Sequence, residues 1–161
     1  MYKVERAIIM AAGLGNRMKP VTLKIPKPLV RVNGVRMIDT VIDGLHKNGI
    51  TEIYVVVGYL KEQFQTLEEE YPGLKLIDNP WYDTCNNIAS LYVAREHLEN
   101  AIILDGDQII YHPEILAPEF EVTRSSIIRK FWHRSLSDPV TTACGPMMRP
   151  TSGCRLWKTA L

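Results

Sequence analysis

The chain has 161 residues, 46% hydrophobic and 23% charged, with a formal net charge of +1, long and apolar enough to bury one core without a second domain. Its three cysteines, Cys85, Cys144 and Cys154, are odd in number and lack metal-ligand spacing, which fits unpaired thiols in a reducing compartment better than a disulfide framework. Only six apolar residues, Ala7 to Ala12, precede Gly13, too few for a signal peptide or a membrane span, so a soluble, cytoplasmic protein is expected.

Ala7 to Met10 predicts a short strand, and Ala11, Ala12 and Gly13 open a loop of small residues that a flat base or a phosphate can approach closely. Gly13 and Gly15 permit backbone angles that side chains forbid, and the free amides of this loop, Asn16 included, are donors to an anion. Between Glu5 and Asp39 there is no carboxylate, whereas Arg6, Arg17, Lys19, Lys24, Lys27, Arg31 and Arg36 all lie there. Lys27 stands between Pro26 and Pro28, which restrict its backbone. Together these features predict a nucleoside triphosphate site. Two other phosphate motifs fail on the same residues. Met18 occupies the third glycine position of the dinucleotide fingerprint, and G-x-x-x-x-G-K-[ST] matches nowhere.

Met37, Ile38, Val41, Ile42 and Leu45 recur at helical spacing until Gly49, which suits a C-terminal cap. Ile53 to Val57 is apolar on both faces, as a buried parallel strand requires, and Leu60, Phe64 and Leu67 stripe the helix predicted next. Leu74 to Ile77 predicts a further strand, and the loop from Asn79 to Asn87 follows it. Asn79, Asn86 and Asn87 each carry donor and acceptor groups, which suits the edge of a pyrimidine or ribose hydroxyls. Asn87 equally suits the N-cap of the helix expected from Asn87 to His97. Trp81 and Tyr82 suit either loop packing or an aromatic cage for an ammonium group.

Ala101 to Leu104 predicts a strand that ends at Asp105. The repetition of strand and helix implies an α/β fold, a mostly parallel sheet with helices on both faces and ligands at the carboxyl ends of the strands. Asp105-Gly106-Asp107 lies at such an end. Gly106 admits close backbone approach, and Asp107 is the candidate ligand for Mg²⁺ held against triphosphate oxygens.

Residues 122–161 differ from the rest: seven Lys and Arg stand against the single acid Asp138, a net of +6, while residues 1–121 hold twelve against seventeen, a net of −5. Those cations are scattered without amphipathic period or aromatic interleaving, so neither a nucleic-acid partner nor membrane insertion is expected. The boundary is placed at 121/122, and the tail is expected to be out of frame, since reading one nucleotide earlier forces Asp at Met148 and Glu at Lys158. The gene's nucleotide sequence around residues 120–140 tests this.

Residues 7–30 resemble the signature of the sugar-phosphate nucleotidyltransferase superfamily, A-A-G-x-G-x-R-x-x-P-x-T-x-x-x-P-K-x-L, with every position filled from Ala11 to Leu29. Val57 to Phe64, Asn86-Asn87 with Ser90-Leu91-Tyr92, and Asp105-Gly106-Asp107 resemble one branch, the bacterial licC-type CTP:phosphocholine cytidylyltransferases. The resemblance covers roughly residues 5–120. It implies a Rossmann-like nucleotidyltransferase fold, here C-terminally incomplete, and a Mg²⁺-dependent transfer from an NTP, best CTP, to a phosphorylated acceptor, best phosphocholine, with release of pyrophosphate. Under it Lys27 contacts the α-phosphate or acceptor, Arg17 the β- and γ-phosphates, Ala11, Ala12, Gly13, Gly15 and Asn16 the base and ribose, and Asp107 the metal. The alternatives are a sugar-1-phosphate uridylyl-, guanylyl- or thymidylyltransferase, and a non-catalytic nucleotide-binding fragment. An incomplete sheet leaves an open edge, so low solubility or a homodimer, weak or no CTP binding and little turnover are expected of the chain as written.

Overall fold

The computed structural model describes residues 2–120. The expectations about residues 122–161 lie outside the described residues. In chain order the elements are β1 (Tyr2–Lys3), β2 (Arg6–Met10), β3 (Arg31–Val32), β4 (Val35–Arg36), α1 (Met37–Lys47), β5 (Glu52–Val57), α2 (Gln65–Glu70), β6 (Leu74–Asp78), α3 (Asn87–Val93), β7 (Ala101–Asp105) and β8 (Glu119–Phe120), with short 3₁₀ turns between them.

The centre is a four-stranded parallel sheet in the order β6-β5-β2-β7. β1 pairs antiparallel with β8, and β3 with β4, so the fold is the mostly parallel α/β architecture expected. Alternation along the strands explains the two layers. Ala7, Ile9, Ile53, Val55 and Val57 face one side, where Ile38, Val41, Ile42 and Leu45 of α1 and Leu67 of α2 cover them. Ile8, Tyr54 and Val56 face the other, where they meet Ala94 just after α3. Both faces of the two central strands, β2 and β5, are therefore dry, which is why β5 reads as an unbroken apolar run.

α1 ends where the pattern says it should, at Asn48, and Gly49 takes a left-handed φ of 76° just beyond it. Two details differ from expectation. Leu60 has a φ of 52° and precedes a 3₁₀ turn, so it cannot join the helical stripe, and Phe64 and Leu67, both fully buried, carry that packing alone. The helix expected up to His97 stops at Val93. A tighter 3₁₀ turn over Arg95–His97 then carries the His97 ring onto Tyr54, stacked with centroids 3.8 Å apart.

The strand order places a topological switch between β2 and β7, whose ends are in register at Met10 and Asp105. Doubly wound sheets bind ligands in the crevice outside the carboxyl ends at such a point. Among the described residues no helix is long and apolar enough to cross a membrane.

Candidate functional site

The loop after β2 is held by Gly15. Its φ of 63° favours glycine, and a Cβ there would lie 2.8 Å from Thr22 Cγ2 and 3.3 Å from Lys27 Cβ. Thr22, 1% exposed, donates its hydroxyl proton to the Gly15 carbonyl at 2.9 Å. The sequence reading gave Thr22 no role, although its place in the signature was the available signal. Gly13 corrects the other half of that reading: its φ is not positive, and nothing lies within 4 Å of its absent Cβ. Its value is open space. Ala11 corrects the expectation of free amides, since its N–H donates to the Val56 carbonyl at 2.9 Å and its side chain belongs to the core.

Lys27 opens a 3₁₀ turn between buried Pro26 and Pro28. Pro28 rests against the end of β7, where a Cβ on Gly106 would lie 3.1 Å from Ile9, 3.3 Å from the Met10 carbonyl and 3.4 Å from Pro28. The Gly106 N–H donates to that carbonyl at 3.0 Å. Gly106 thus lets the two chain segments close, and Lys27 Nζ donates to Asp107 Oδ2 as an ion pair between half-buried side chains. Burial first, and then the neighbouring charge of Asp107, push the Asp105 carboxyl above the usual carboxylate range, while Lys27 pulls it partly back. Arg17 is exposed in the 3₁₀ turn Asn16–Met18, just after Gly15.

Two carboxylates crowded at one strand end are hard oxygen donors of the kind Mg²⁺ takes, one or two at a time, with phosphates and water completing its shell. Among the described residues no group of three or more His, Cys, Asp or Glu side chains forms a closed metal cage. Asp107 with Asp105 beside it fits a metal shared with a substrate, not one enclosed by protein.

Beside this end lies a polar cleft lined by Ala12, Gly13, Asn79, Tyr82, Cys85, Asn86, Asn87 and Ser90. The fold therefore brings five of the expected nucleotide residues to one place. Their uses differ. Asn79 is 1% exposed and bonded at both ends of its amide: its Nδ2 donates to the Ser90 hydroxyl at 3.0 Å and its Oδ1 accepts from the Trp81 N–H at 3.0 Å. It builds the wall of the cleft. Asn86, not Asn87, is the N-cap of α3, with Oδ1 accepting from the Ile88 N–H at 3.0 Å. The exposed Asn87 amide is in no hydrogen bond among the described residues. Trp81 packs edge-on to Tyr92 while Tyr82 borders the cleft, so the two aromatics do not face one shared cage. Ser90 stood in the quoted Ser90-Leu91-Tyr92 motif without a role, and the folded loop brings it to the cleft as the acceptor for Asn79.

This division carries a prediction. Asn86→Ala should lower the unfolding free energy by about 1 kcal/mol, the usual value of an N-cap, and Asn87→Ala by less than about 0.5 kcal/mol. Urea denaturation of both variants checks it, and equal losses would contradict the assignment of the cap.

A family model described as a MobA-like NTP transferase domain matches residues 7–143. A protein of Lancefieldella rimae described as a 2-aminoethylphosphonate cytidylyltransferase is 52% identical over 114 residues, which is 70% of this chain and 46% of the relative. A choline-phosphate cytidylyltransferase of Streptococcus pneumoniae is 45% identical over 66% of this chain and 46% of its own length. The solved structure of the CTP:phosphocholine cytidylyltransferase LicC from Streptococcus pneumoniae superposes with a TM-score of 0.66 at 42% identity, covering 76% of this chain and 51% of that one. The chain spans about half the length of these relatives.

Proposed function

The chain belongs to the MobA-like NTP transferase family, and from its likeness to cytidylyltransferases we propose that it transfers a cytidylyl group from CTP to a small phosphate or phosphonate that carries an amino or ammonium group. The acceptor class is taken from the relatives: the proteins named for 2-aminoethylphosphonate, choline phosphate and phosphoglutamine are 52%, 45% and 34% identical to this chain. Phosphocholine and 2-aminoethylphosphonate are the leading acceptors.

The observation that carries the proposal is the placement of the Lys27–Asp107 pair at the β2/β7 switch, next to the asparagine-walled cleft. Base and ribose enter the cleft, with the Asn87 amide facing the pyrimidine edge and open Gly13 admitting the sugar. The triphosphate then lies along the cationic loop, Arg17 on the β- and γ-phosphates and Lys27 on the α-phosphate. The acceptor's phosphate or phosphonate oxygen attacks the α-phosphorus, forming one P–O bond as the bond to the β-phosphate breaks and pyrophosphate leaves. That oxygen is already anionic, so no residue needs to remove a proton. Catalysis by this chain then consists of alignment and of positive charge held where negative charge develops. Mg²⁺ held by Asp107 supplies charge neutralisation on the triphosphate oxygens.

An acceptor and nucleotide screen on a chain restored to frame beyond residue 121, beside this one, tests the proposal. CTP with phosphocholine or 2-aminoethylphosphonate should release pyrophosphate, and hexose 1-phosphates with UTP or GTP should not. Turnover confined to a hexose 1-phosphate would replace the acceptor class with that of the sugar-1-phosphate branch.

A further inference from the structure

Gly58 is buried at the end of β5, and the conformational freedom of glycine does not explain it: its φ lies outside the left-handed region. What stands over it is Tyr82. A Cβ on residue 58 would lie 2.5 Å from Tyr82 Cβ, 2.7 Å from Cγ and 3.0 Å from Cδ1, and real Cβ atoms essentially never approach below 3.0 Å. The nearest atom is Tyr82 Cβ, which is fixed to the backbone, so no rotation of the ring relieves the clash. The loop itself would have to move.

That loop is tied at both ends. Asn79 anchors its start through Trp81 and Ser90, and Asn86 ends it by capping α3. On the other side the Tyr59 N–H donates to the Ala12 carbonyl at 3.3 Å, which joins the residue after Gly58 to the glycine loop. Tyr82, Asn79 and Asn86 line the cleft together with Ala12 and Gly13. Gly58 therefore packs against a lining residue of the cleft and precedes the residue bonded to another.

The geometry points to Gly58 as a positioning residue for the nucleotide: the missing side chain lets Tyr82 seat against the end of β5, and that seat holds the asparagine loop at the distance from Gly13 that a pyrimidine nucleotide needs. The inference rests on the reading of the cleft as the nucleotide site. It assigns Gly58 an effect on nucleotide affinity, exerted through Tyr82 and not through contact with the ligand.

A double-mutant cycle with CTP as the probe tests it, with affinity measured by titration calorimetry and folding by thermal unfolding on the same four proteins: the parent chain, Gly58→Ala, Tyr82→Gly and the double variant. Overpacking of a tight contact corresponds to a loss of roughly tenfold in affinity for Gly58→Ala in the parent background. In the Tyr82→Gly background, where the clashing Cβ is gone, the same change should cost nothing further. If Gly58→Ala abolishes cooperative unfolding, the double variant should regain both the transition and the affinity of Tyr82→Gly. A Gly58→Ala chain that binds CTP as the parent does, or a loss that persists undiminished beside Tyr82→Gly, overturns the inference alone. If neither the parent chain nor its frame-restored form binds CTP, the nucleotide reading falls and the inference with it.

Discussion

In a chain restored to frame beyond residue 121, Lys27→Ala should reduce turnover far more than it reduces nucleotide binding. A cation whose contact tightens only as charge builds on the reacting phosphoryl group acts on the transition state, and single donors of this kind are worth roughly 2–4 kcal/mol. The geometry separates the two effects. Lys27 lies at the β7 side of the switch, against Asp107, while the cleft assigned to base and ribose is walled by Asn79, Tyr82, Asn86 and Asn87. Steady-state kinetics should therefore show kcat falling by two to three orders of magnitude, about the effect of removing one oxyanion donor, with CTP affinity changed far less. Near-normal turnover in the variant would remove Lys27 from the chemistry.

Asp107→Asn keeps the shape and removes the charge, and two results of opposite sign should follow. The Mg²⁺ concentration needed for half-maximal activity should rise by roughly tenfold or more, because a neutral amide oxygen is a poorer partner for a hard cation than a carboxylate. CTP binding without any metal should strengthen, since Lys27 is no longer neutralised by its ion pair and its charge is free for the phosphates. Calorimetric titration of CTP into metal-free protein measures the second effect independently of activity. An unchanged metal requirement together with unchanged metal-free affinity would take Asp107 out of the site.

Much of this site was legible in the chain because its parts are local. Gly15, Lys27 between its two prolines, and Asp107 after an apolar strand are punctuation whose backbone consequences follow from residue type alone. The parallel strands were equally plain, since a strand dry on both faces must be apolar at every position, as Ile53 to Val57 is. What the sequence concealed is long-range. The interval from Glu5 to Asp39 looked like an uncompensated run of cations, yet carboxylates from outside it fold back. Arg6 lies 3.6 Å from Glu52, Arg36 pairs with Asp39 and Glu70, and Lys27 pairs with Asp107. The Arg36 guanidinium, bonded to the Asp39 carboxylate first and then to Glu70, is held well above its ordinary pKa and is already neutralised by two carboxylates. It braces α1 against the end of α2.

The asparagine loop shows the same limit. Three asparagines suggested three ligand contacts, but a cap and a wall use two of them, and only hydrogen bonds formed by the folded loop distinguish Asn87 from Asn79 and Asn86. The role of Gly58 depends on a tyrosine twenty-four positions later, a separation no local pattern reports.

The most direct test of the central claim is pyrophosphate release from CTP in the presence of Mg²⁺, measured with and without phosphocholine or 2-aminoethylphosphonate, for a chain restored to frame beyond residue 121 and for its Lys27→Ala variant side by side. The account predicts release that requires one of these acceptors and that falls at least a hundredfold in the variant, about the effect of losing one transition-state donor. Release that ignores the acceptor, or that survives the loss of Lys27, would contradict it.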